Sequence, residues 1–201
     1  GIGFDPAYSP SRINYQQPLG VTFVKDFFSE KYSGHHADFI CCKMTLEHIY
    51  DTADFVNTVR RSIGDRRDTV VFFQIPNASY VLRDLAFWDI YYEHCSYFSK
   101  GSLSRLFRRC GFDVLGLSTE YDNQYLTIEA RPGSGQDTPK LEGEDDLDEL
   151  KQDLAYFSAH YRRKLDDWRH RLAEMQRKGQ RAVIWGGGSK GVSFLTTLNI
   201  R

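Results

Sequence analysis

The chain has 201 residues, 41% hydrophobic and 26% charged, which suits one globular domain with part of a second and excludes a chain disordered throughout. Lys and Arg number 26 against 27 Asp and Glu, so no overall field draws in nucleic acid or an acidic membrane, and no apolar run reaches membrane-spanning length. The four cysteines (Cys41, Cys42, Cys95 and Cys110) lack CxxC spacing and read as reduced thiols of a cytoplasmic protein, with no metal expected.

The opening "GIGFD" reads as the end of a strand closed by Asp5 and Pro6. The chain is therefore expected to be a piece of a longer protein, and it stops at "TTLNIR", just after a helix. Residues 7–20, rich in Ser, Pro, Gln and Asn, read as a loop or irregular helix. "VTFVKDFF" (21–28) is a short apolar strand, and the nearly continuous apolar run "ADFICCKM" (37–44) predicts a strand buried on both faces. The next segment is helical: Asp51 can cap it, Phe55, Val59 and Ile63 share a face, and Gly64 ends it. "DTVVFFQIP" (68–76) is a second buried strand stopped by Pro76.

"KGSLSRLFRRCGF" is a compact helix with Leu103, Leu106, Phe107 and Cys110 inward and Gly111 as its stop. Two strands joined at "DN" follow as an antiparallel hairpin. Strands and helices in this alternation predict an α/β fold with a mostly parallel sheet. Residues 133–146 have the composition of a linker. From Leu147 to Met175 apolar residues recur every three or four positions, which predicts one long connecting helix over 147–178. At about 45 Å such a helix is too long for one small sheet. Leu165, Trp168 and Leu172 are expected to lack part of their cover, with Trp168 exposed, until a dimer or interdomain contact supplies it. "RAVIWGGGSKGVSFLTTL" reads as a strand, a glycine turn and a helix opening a second Rossmann-like domain over 179–201.

Several residue sets invite chemistry. An acid closing a strand, such as Asp5, can take the ribose hydroxyls of a nucleotide, or it can simply be a helix cap or turn former. "GGGSKG" satisfies GxGxxG at Gly186, Gly188 and Gly191, so it can cradle phosphate with Lys190, or simply pack a helix on a sheet. His48 reads as a residue at a helix start near a cofactor, and His35 and His36 as solvated. "YYEHCSYFS" (91–99) crowds four aromatic rings around Glu93 and His94.

The element order resembles that of class I S-adenosylmethionine-dependent methyltransferases entered at their second strand. "GFDP" looks like their ribose-binding acid at Asp5, Asp26 and Phe27 like their adenine contacts, and "CCKMTLEHIYD" like their fourth-strand exit, which puts Lys43 beside the cofactor. "FWDIYYEHCSYFSKGSLSRLFRRCGFDVL" resembles the Tyr-x-Glu-His-x-x-Tyr-Phe-Ser stretch of bacterial sugar C-methyltransferases, with Tyr92 where relatives often carry His, and "WGGGSKG" resembles the turn opening that family's C-terminal domain. The resemblance covers most of residues 1–131 and resumes near 181. It implies a domain over 1–132 whose first strand, cofactor glycine loop and cysteine-rich zinc region lie upstream of Gly1. It also implies S-adenosyl-L-methionine as cofactor and a keto sugar, nucleotide-linked, as acceptor.

Carbon methylation needs removal of a weakly acidic proton beside a carbonyl. His94 is the expected base, Glu93 its orienter or a ligand of a sugar hydroxyl, and Tyr91 a donor to the oxyanion. Neighbouring side chains on a strand point apart, so 91–95 must bend as a loop for both to reach one substrate. The bland reading has Glu93 and His94 bracing that loop. Two other functions stay open: a noncatalytic nucleotide-sugar-binding or assembly module, and a nicotinamide-dependent enzyme resting on "GGGSKG".

Overall fold

The computed structural model describes residues 1–12, 20–134 and 138–200; parts of the expected 7–20 loop and of the 133–146 linker lie outside that set. The fold is α/β, with the strands in two groups. β1 (Ile2–Phe4) pairs in parallel with β2 (Thr22–Val24). A four-stranded sheet runs β3 (Phe39–Lys43), β4 (Val70–Pro76), β6 (Tyr125–Pro132), β5 (Phe112–Glu120). β3 and β4 are parallel, while β6 lies antiparallel to both β4 and β5, so the sheet is mixed and the predicted hairpin forms its far end.

Local signals placed the helices. α1 (Thr52–Ile63) starts where the Asp51 side chain accepts from the Asp54 amide at 3.0 Å, and Gly64 ends it at φ 66°. A short helix that the sequence did not announce, α2 (Ala78–Arg83), begins after Pro76, capped by Asn77. α3 (Lys100–Arg109) opens with a Ser99–Ser102 capping box and stops before Gly111, at φ 81°. The core lies where α1 and α3 cover β4 and β6: Val56, Val59, Ile63, Leu103 and Phe107 close on Val71, Phe73, Ile75 and Ile128.

Three expectations need correction. β3 is not buried on both faces, since Phe39 is 57% exposed and Cys41 is exposed. It pairs only with β4 among the described residues, and an apolar run cannot bury itself without neighbours on its other edge and face. The strand expected at 181–185 is also absent. With no ladder partner there, Val183 and Trp185 stand 86% and 100% exposed.

The third correction concerns the long helix, α4 (Leu147–Arg177). Its middle is covered from within the chain by α5 (Ser189–Leu198) and a 3₁₀ turn at Phe87–Asp89. Leu165 and Leu198 are buried with Phe87, and Trp168 packs edge-on against Phe194 at 5.1 Å. The uncovered stripe positions are instead Leu147 and Leu154, 57% and 53% exposed. In chains that keep one tryptophan and carry Phe at the other two positions, acrylamide should quench Trp185 far more strongly than Trp168. Equal quenching would contradict this packing.

Candidate active site

β3 ends at Lys43, and Met44 turns the chain at φ 50° into a 3₁₀ turn, Leu46–His48. Across from this turn runs the 90–97 loop, which the bridge between Asn77 and Phe98 returns to the sheet. The two are stitched by hydrogen bonds to backbone carbonyls. Cys95 N–H donates to the Glu47 carbonyl at 2.8 Å, Ser96 N–H donates to the same oxygen at 3.3 Å, and His48 Nδ1 donates to the Glu93 carbonyl at 2.8 Å. Residues 91–95 therefore bend as a loop, as joint action of Glu93 and His94 requires.

The bend separates the expected pair. His94 turns inward and is buried; its ring lies 4.0 Å from Tyr91, 5.7 Å from Tyr97 and 5.0 Å from His48, centre to centre. Neither ring nitrogen has a hydrogen-bond partner among the described residues. Burial above all pushes its pKa down to about 4, so the ring is neutral at physiological pH. Glu93 turns outward, its side chain exposed, and serves the site through its backbone oxygen. Burial, followed by the charges of Asp89 and Glu47, drives the Tyr91 phenol up to about 12, so it stays a donor.

The carboxylate that faces His94 and His48 is Glu47, only 1% exposed and with its pKa raised by burial. Sequence reasoning missed it, because nothing in "LEH" marks which of its members points inward. Its letters were visible only as part of the strand exit.

The cofactor candidates stand at the carboxyl ends of β1, β2 and β3. The Asp5 carboxylate accepts from Ala7 N–H at 2.7 Å, the behaviour of a turn former. Asp26 is engaged by Lys31, by the Tyr32 hydroxyl at 2.6 Å and by its neighbour's amide at 2.8 Å. The Lys31 contact above all, then the Tyr32 bond, hold its carboxyl at about 2. The Phe27 ring is 73% exposed, and Lys43 is exposed at the end of β3.

The glycine turn packs as well as exposes. Lys190 pairs with the buried Asp89 at 2.9 Å and donates to Gln124 at 3.0 Å, which occupies the charge expected for phosphate. Ser193 donates to the Ile90 carbonyl at 2.9 Å. Between the turn and the motif lies a cavity of about 550 Å³ whose lining includes Trp88, Tyr91, Trp185, Gly188 and Lys190.

No curated protein sequence matches the chain. Among solved structures it is similar to an S-adenosylmethionine-dependent methyltransferase from Mesorhizobium loti, with 15% identity, covering 65% of this chain and 79% of that one at TM-score 0.44. It is also similar to an O-methyltransferase family protein from Burkholderia thailandensis, with 13% identity, covering 58% of this chain and 37% of that one at TM-score 0.45. A third is magnesium protoporphyrin IX methyltransferase from Synechocystis PCC 6803 with bound SAH, at 13% identity, 56% and 52% coverage and TM-score 0.42. The chain thus spans about half of the last of these and less of the second. A family model described as "Methyltransferase domain" matches residues 1–117, more than half of the chain. The protein therefore belongs to the methyltransferase domain family.

Proposed function

We propose that this chain is the acceptor-side part of an enzyme that transfers a methyl group from S-adenosyl-L-methionine to a carbon of a keto sugar, nucleotide-linked. Family membership over residues 1–117 supports methyl transfer. The observation that carries the acceptor site is the meeting of Tyr91 and His94 with the β3 exit turn. It lies beyond the carboxyl ends of β3 and β4, where ligands of open α/β sheets bind. Asp5, Asp26, Phe27 and Lys43 are the residues proposed to face the cofactor. Because β1 and β3 each pair on one side only among the described residues, a further strand, with its cofactor loop, has edges to join.

In this reading the acceptor carbonyl meets the Tyr91 hydroxyl, which stays protonated and can donate to the developing oxyanion. The neutral imidazole of His94, its ring 4.0 Å from that of Tyr91, keeps a lone pair to take the proton. Glu93, exposed at the rim, is free to hold a sugar hydroxyl. Radiolabelled methyl transfer by the complete enzyme against a panel of nucleotide-linked keto sugars tests this. Label should appear on carbon, stable to mild hydrolysis. Cofactor binding with no transfer to any member would favour a noncatalytic binding module instead.

A further inference from the structure

Glu47, His48 and His94 converge behind the 90–97 loop without hydrogen-bonding to one another. One ligand atom from each lies within 4.8 Å of the others. Both oxygens of Glu47 and both ring nitrogens of His94 are buried with no hydrogen-bond partner among the described residues. Buried polar atoms are rarely left so, and a group of them usually surrounds something. No hydrogen bond joins any two of the three, and ligand atoms that all lie within 4.8 Å of one another can be met by one small body.

The chemistry of the three indicates that body. A carbonyl oxygen only accepts, so the 2.8 Å contact to Glu93 places the His48 proton on Nδ1 and leaves a lone pair on Nε2. That lone pair stands 3.9 Å from the buried Glu47 Oε1. A second proton on His48 would neutralise the carboxylate's charge and leave His94 with both nitrogens bare. A water molecule would bridge the atoms and leave the carboxylate's charge uncompensated. A divalent cation satisfies all three at once. Holding a ligand imidazole by a backbone carbonyl on its other nitrogen is also how metal-binding histidines are kept in the right tautomer.

We propose that Glu47, His48 and His94 form a binding site for a divalent first-row transition-metal cation. Two imidazoles with one carboxylate suit this class rather than Mg²⁺ or Ca²⁺, and three protein ligands leave positions for a substrate oxygen. Bonds of about 2.0–2.1 Å would draw the ligand atoms to roughly 3.4 Å apart, a contraction of at most about 1.4 Å from the 4.8 Å bound, which side-chain rotation can supply. The His48 side chain is 43% exposed and forms the entrance. The inference rests on the proposed function only for its use. A cation beside Tyr91 would stabilise the developing enolate oxygen, and His94 would serve as its ligand rather than as a free base.

Co²⁺ titration of the 201-residue chain, followed by visible absorption and by competition with Zn²⁺, tests it. One equivalent should bind, without thiolate charge-transfer bands and unchanged in the Cys41→Ser and Cys95→Ser variants. Glu47→Gln should weaken binding on the order of 100-fold. His48→Gln should do the same, and because the Gln amide can still donate to the Glu93 carbonyl, that variant can keep the bond that braces the loop while losing the ligand nitrogen. No binding by the natural chain, or equal affinity in the Glu47 and His48 variants, overturns the site. Cation binding in a protein that methylates no keto sugar would instead sink the acceptor assignment and leave the site standing.

Discussion

His94→Gln should lower the proposed methyl transfer on the order of 10²–10⁴-fold, the span covered by loss of a proton-transferring side chain. Loss of a metal ligand would act in the same direction. The fold should hardly notice. His94 makes no hydrogen bond through its ring, so Gln, polar and of similar reach, breaks none. The motif's bracing is done by backbone groups, through the Cys95 amide and the Glu93 carbonyl, and survives the exchange. Cofactor affinity should likewise stay near its starting value, since Asp5 and Asp26, the acids proposed to face the cofactor, follow β1 and β2. Glu93→Gln should be milder, because the carboxylate faces solvent and only its backbone oxygen is used within the chain. Turnover and chemical denaturation measured on the same preparations decide the matter. Turnover lost only in proportion to folded protein would show His94 to be a bracing residue.

The second large effect lies away from the site. Arg108→Met should cost about 3 kcal/mol, the lower end for breaking a buried ion pair, and lower the melting temperature by about 6–12 °C. Arg108 donates to both Glu144 oxygens, at 2.7 and 3.0 Å, and to the Pro139 carbonyl at 3.0 Å, so it pins the 138–146 segment onto α3. Glu144 is 4% exposed. Burial alone would raise its pKa, but the Arg108 bonds, the Leu141 amide and Ser104 outweigh this and hold it below the usual value. A depressed carboxyl contributes stability above its unfolded pKa and loses it as pH falls through the folded value. Met in place of Arg108 leaves the carboxylate buried and unpaired, which raises its pKa. The gap between the two proteins should therefore be widest near neutrality and narrow below about pH 4. A gap independent of pH would show that packing, not the charge, carries the effect.

The same segment shows how composition misleads. Pro, Gly, Ser and acids predicted a linker over 133–146, yet Glu144 and Asp146 are buried against α3. Asp146 accepts the Gly101 amide at 2.7 Å, and a Cβ on Gly101 would fall 2.1 Å from the other Asp146 oxygen, so only glycine permits that approach. Solubility of a side chain says nothing about whether a distant guanidinium or amide will meet it.

The sequence by itself determined what depends on neighbours a few residues apart. Asp51 and Gly64 bounded α1, Ser99 and Gly111 bounded α3, the "DN" turn announced the hairpin, and apolar spacing announced α4. These follow from backbone capping, φ preference and helical period, all local properties of the chain. The tertiary structure alone decided what depends on partners far along it. Only there does Trp168 find Phe194, Lys190 find Asp89, and the run at 181–185 find no strand to pair with. Only there does Glu47 replace Glu93 as the inward carboxylate. His48 and Glu93 are 45 positions apart, and the hydrogen bond between them, not any letter in either motif, sets which side chains face the site.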